Sequence, residues 1–113
     1  MRLVVFGLTI ALLARAAVAA EKPVRFWNLT RETVTSLRLA PVGTRDYGSE
    51  LTKGDSDGSV DHDERLAIGN LAPGLYDGMI GFKSGRSCMV KGIKIEASSV
   101  VSIEENDLVS CTK

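Results

Sequence analysis

Between Lys53 and Glu64 the chain places Asp55, Asp57, Ser59, Asp61, His62, Asp63 and Glu64 around Gly54 and Gly58. Hard oxygen donors at alternate positions about a glycine suit Ca2+, because a flexible turn must bring several oxygens onto one ion. Setting Gly58 at the glycine of a twelve-residue calcium loop puts Asp55 and Asp57 at the third and fifth positions. Val60 then takes the apolar eighth position and Glu64 the bidentate twelfth. The candidate metal set is Asp55, Asp57, Ser59, Asp61 and Glu64. Lys53 stands where the first ligand belongs, and the flanks lack helical periodicity. The same residues therefore also read as a solvated acidic loop in which aspartate and glycine make turns.

Hydrolytic chemistry has less material. His62 is the single histidine, its acidic neighbours Asp61 and Asp63 adjoin it in sequence, and no serine sits in a nucleophile-elbow context. Nothing places two carboxylates across a cleft. The chain reads as a non-enzyme, with a small hydrolase as the weaker alternative. Trp27 is expected to pack in the core or at an edge, with ligand stacking as the other reading. Asn28-Leu29-Thr30 spells an N-glycosylation sequon, irrelevant in a bacterial host.

The N-terminus supplies an address. Arg2 precedes an uncharged run from Leu3 to Ala14, followed by Arg15 and the small residues Ala16, Ala17, Val18, Ala19 and Ala20. This is the charged, apolar and cleavable order of a secretory signal peptide, with cleavage before Ala20 or before Glu21. As a helix the apolar run would reach only about 18 Å, short of the roughly 30 Å hydrocarbon core of a bilayer. The sequence thus predicts a signal peptide over 1–20, one domain over 21–113, and no stable membrane insertion after cleavage.

Loss of Arg2 and Arg15 takes the 14 basic residues to 12 against 14 acidic ones, a net charge of −2 with His62 neutral. Without a cluster of Lys and Arg, nucleic acid is not an expected partner. Cys88 and Cys111 are the only cysteines, and in an exported small domain they read as a disulfide. Closing a loop of about 24 residues would stabilise the fold by about 3 kcal/mol on the chain-entropy model.

The elements that must position these groups are strands. Short β-branched and aromatic runs recur between turn signals near Val24–Leu29, Val34–Ala40, Arg65–Gly69, Leu75–Phe82, Ser87–Ile95 and Val100–Glu104. Tyr76, Ile80 and Phe82 share one parity, as do Leu66 and Ile68, so one face of each strand meets a core. Apolar parity switches across Gly92, which predicts a β-bulge, and Lys83-Ser84-Gly85-Arg86 predicts a hairpin turn. The polar segment 43–63 is expected to be a long surface loop with room for a short strand. An all-β fold follows: a small antiparallel sandwich or partly open barrel of six to seven strands.

The segment Leu71-Ala72-Pro73-Gly74-Leu75-Tyr76 resembles the L-x-P-G-x-Y turn of prealbumin-like sandwich modules, the carboxypeptidase regulatory-like and collagen-binding B-type repeats. That resemblance implies a sandwich whose tyrosine enters the core, with a structural or accessory role. More broadly, Val60 to Leu66, Gly74, Tyr76, Asp77, Ser84-Gly85-Arg86 with Cys88, and Ser102 to Glu105 with Asp107, Leu108 and Cys111 resemble small exported bacterial proteins of unassigned function. That likeness implies a periplasmic or secreted protein. The leading expectation is a non-catalytic binding or structural module with a protein or cell-envelope partner and no cofactor. A Ca2+-binding module built on the acidic loop is the alternative.

Overall fold

Burial with a period of two runs through β1 (Val24–Leu29), where Val24, Phe26 and Asn28 point inward while Arg25 and Trp27 point outward. The computed structural model describes residues 22–113, so the expected signal peptide and both cleavage sites lie outside the described residues. Six further strands follow: β2 (Val34–Pro41), β3 (Arg65–Gly69), β4 (Gly74–Phe82), β5 (Ser87–Ile95), β6 (Val100–Glu104) and β7 (Val109–Thr112). They form a three-stranded sheet of order β3-β1-β6 and a four-stranded sheet of order β2-β4-β5-β7. Every pairing is antiparallel except that of β1 with β6. The fold is an all-β sandwich. Phe26, Leu37, Ile80, Ile95 and Ile103 are among its fully buried side chains, drawn from both sheets.

Local devices sit where residue types require them. The β4–β5 turn uses Gly85 at φ 94°, in the left-handed region that glycine enters without penalty. Gly92 at φ 64° marks the predicted bulge: the β4–β5 register shifts between Tyr76 and Gly78, and the Gly92 N–H donates to Asp77 Oδ1 at 3.2 Å. The parity change in β5 therefore keeps Cys88, Val90, Ile93 and Ile95 all buried. Cys88 and Cys111 form the expected disulfide, which ties β7 to β5.

The polar segment after β2 runs along that strand's open edge. Gly48 N–H donates to Leu39 O, Leu51 N–H to Leu37 O, and Val34 and Val60 exchange both backbone bonds as an isolated bridge. A row of unpaired backbone groups invites pairing with other chains, so a loop laid over it protects the fold. Glu50 completes the cover. Its Oε2 accepts from Leu37 N–H at 2.6 Å and Thr52 Oγ1 at 3.1 Å, and its Oε1 from Ser36 Oγ at 2.5 Å.

Burial pushes the Glu50 carboxyl up, but the bonds from Ser36, Leu37 and Thr52 outweigh it and hold the group below the ordinary carboxylate range. A depressed folded value gives stability that is full above the unfolded value of about 4.3 and lost as pH falls through the folded one. Melting curves from pH 7 to pH 3, about 2.7 units above to about 1.3 units below that unfolded value, should show Glu50→Gln less stable than wild type at neutral pH. The gap should narrow on acidification; a constant gap would remove the carboxylate from the account.

Candidate functional site

The acidic loop folds into two separate turns. In the first, Asp57 Oδ1 accepts from the Ser59 N–H at 3.0 Å and Ser59 Oγ at 2.8 Å. Hydrogen bonding between the Asp55 and Asp57 carboxyls raises Asp55 and lowers Asp57. In the second, the Asp61 N–H donates to Glu64 Oε1 at 2.6 Å, while Asp61 Oδ1 accepts from Thr33 Oγ1 at 2.9 Å. Buried Val60, bridged to β2, stands between the turns. The carboxylate oxygens named here face local donors, and among the described residues no three His, Cys, Asp or Glu side chains are grouped to hold a metal ion.

As arranged, millimolar Ca2+ is expected to leave the melting temperature unchanged. A site filled at about 100 times its dissociation constant would instead add about 2.7 kcal/mol, several degrees for so small a domain. A rise of that size would show the loop rearranging around an ion.

His62 is held away from Asp61 and Asp63 by a different partner. Its Nδ1 lies 2.6 Å from Thr30 O, and a carbonyl only accepts, so Nδ1 carries the proton and donates. The ring fastens the loop to the β1–β2 turn. A second clamp holds the neighbouring end of the sandwich: Arg86 stacks on Phe82 at 4.6 Å and reaches Glu32 at 2.6 Å and Glu105 at 3.1 Å. Burial pushes Glu105 up, but the Arg31 N–H and the Arg86 guanidinium outweigh it and hold the carboxyl low. Charges in this clamp are matched, Arg31 and Arg86 against Glu32 and Glu105, while the buried Arg86 Nε has no hydrogen-bond partner among the described residues.

Trp27 corrects the sequence expectation. β1 is the middle strand of its sheet, and the inward parity of Val24, Phe26 and Asn28 turns Trp27 onto the outer face. There Arg65, its direct partner on β3, lies over the indole with Cζ 4.0 Å from the ring centroid. Trp27 Nε1 donates to Asp63 Oδ1 at 3.0 Å and to Asp63 O at 3.3 Å, so the last residues of the acidic loop pin the ring. Arg25, two residues earlier on the same face, pairs across to Val100 of β6, which is 44% exposed.

Arg25, Trp27, Arg65 and Val100 line a shallow hollow of 260 Å³. Among the described residues, the ion pairs engage Arg31, Arg38, Arg86, Lys91 and Lys94, and neither Arg25 nor Arg65. Sequence reasoning missed this site because Arg25 and Arg65 are 40 positions apart. The usable signal was parity, which sets Arg25 and Trp27 opposite to buried Phe26. Compared with protein-family models, curated proteins and solved structures, the chain matches none.

Proposed function

We propose that the processed chain is a non-catalytic binding module working outside the cytosol, periplasmic or secreted, and that it meets its partner through the outer face of β3-β1-β6. The carrying observation is the pair of arginines that, among the described residues, have no carboxylate partner beside the pinned indole of Trp27. Buried or partnered charges are commonly structural, whereas a half-buried aromatic on an outer sheet face, flanked by guanidinium groups outside any ion pair, has the composition of a contact site. The apolar run Leu3–Ala14 and the disulfide support work in an oxidising compartment. Among the described residues no helix is long and apolar enough to cross a membrane. The Leu71–Tyr76 turn is closed by Tyr76 Oη donating to Ala72 O at 2.6 Å; the resemblance of its sequence to prealbumin-like modules is in keeping with a non-catalytic role.

Trp27 is the sole tryptophan, so its emission reports directly on this face. Cell-envelope material from the native host is expected to shift that emission and to retain the protein, with both effects lost in Arg25→Ala/Arg65→Ala. Retention that survives the double substitution with unchanged emission would place the contact elsewhere. No retention at all would leave a purely structural role.

A further inference from the structure

Resting on that reading, we infer that the hollow at Arg25, Trp27, Arg65 and Val100 takes a carboxylate-bearing sugar unit of an acidic polysaccharide. Charge is the first argument. Arg25 and Arg65 are diagonal neighbours on β1 and β3, Arg25 opposite Ala67 and Arg65 opposite Trp27, and among the described residues neither is in ion-pair range of a carboxylate. Two unneutralised cations lining one hollow favour an oxyanion as its occupant.

Shape selects among oxyanions. Arg65 Cζ lies over the indole 4.0 Å from its ring centroid, and the indole is itself held by two hydrogen bonds to Asp63. A guanidinium fixed in this way presents a planar fork before any ligand arrives, which suits the planar, two-oxygen edge of a carboxylate. The exposed isopropyl group of Val100 supplies an apolar wall for the C–H face of a ring. A hollow of 260 Å³ admits a ring-sized group, and its shallowness lets a polymer enter and leave along the sheet.

The surroundings argue against an extended anionic surface. Asp63 is bonded to Trp27, and Asp61 and Glu64 flank it in the same exposed turn. A flat anionic bilayer laid on the hollow would bring its phosphates against these carboxylates, whereas one unit of a chain need not. The two cations are also too few for nucleic acid, whose affinity grows with the number of phosphates neutralised.

The test uses Trp27 emission of the purified domain titrated with polygalacturonate, neutral dextran, dextran sulfate and anionic phospholipid vesicles. Polygalacturonate is expected to shift the emission, less so at high salt. Arg25→Ala should weaken binding about tenfold or more at an unchanged melting temperature. Arg65→Lys, which keeps the charge and removes the fork, should also weaken it. A response to envelope material but not to polygalacturonate would sink this ligand and leave the binding module standing. An equal response to neutral dextran, a response only to dextran sulfate or vesicles, or wild-type binding by Arg25→Ala would each overturn the assignment. Silence toward every probe and toward envelope material would remove both.

Discussion

Asn28→Leu is expected to cost the domain about 3 kcal/mol and to lower its melting temperature by about 15 °C. Asn28 faces inward on β1 with no exposed surface, in line with Val24 and Phe26. Its Nδ2 donates to Glu32 O at 2.9 Å and Val60 O at 2.8 Å, and its Oδ1 accepts from the Thr30 N–H at 2.9 Å and Thr30 Oγ1 at 2.6 Å. One amide thus joins β1, the β1–β2 turn and the loop that guards β2. Leucine has nearly the same shape and none of the bonds. Val60 O keeps the Val34 N–H and Glu32 O keeps Thr30 Oγ1, but the Thr30 N–H is left buried without its acceptor. Leaving one buried group unsatisfied costs about 1–3 kcal/mol, and the three joined segments loosen together.

Urea denaturation checks this: the midpoint should fall with the slope unchanged, since the same surface is exposed on unfolding. A midpoint within a few tenths of a molar of wild type would show that the network contributes little. The same geometry removes the sequon from surface chemistry, because the amide that would carry a glycan is engaged with two carbonyls inside the folded domain.

How much of this was legible depended on range. Strand positions were readable because alternation is local: β1, β3, β5 and β6 occupy the expected residues, and Gly92 bends β5 where its apolar parity switches. β7 was missed. Its four residues are all exposed, so no buried face imprints a pattern, and it is a strand only because Cys111 is tied to Cys88 and the chain pairs with β5. The loop over 43–63 was recognised as polar surface, yet its contact with β2 is made through backbone groups and Glu50, which carry no periodic signature. Chemistry drew attention to the aspartates because they are dense in sequence. The hollow at Trp27 escaped because its arginines come from β1 and β3, and only the sheet order makes them neighbours.

The second large effect is expected at the disulfide. Cys88→Ala/Cys111→Ser should lower stability by about 3 kcal/mol, the chain-entropy value for a loop of this length. The loss should also be uneven. β7 is held by two register pairs, Ser87 with Thr112 and Met89 with Val109, and contributes no buried residue. Once the covalent tie is gone, ordering its backbone costs about 1–2 kcal/mol per residue against little burial, so the strand should detach while the sandwich persists. Hydrogen exchange of the double variant is the deciding measurement: amides of 109–112 should lose protection under conditions where Phe26, Ile80 and Ile103 keep theirs. Detachment would uncover the edge of β5 from Ser87 to Met89, so the variant should also self-associate more readily than wild type. Protection of β7 equal to wild type would mean that the ladder alone holds the strand, and the bridge would then have no role in closing that edge.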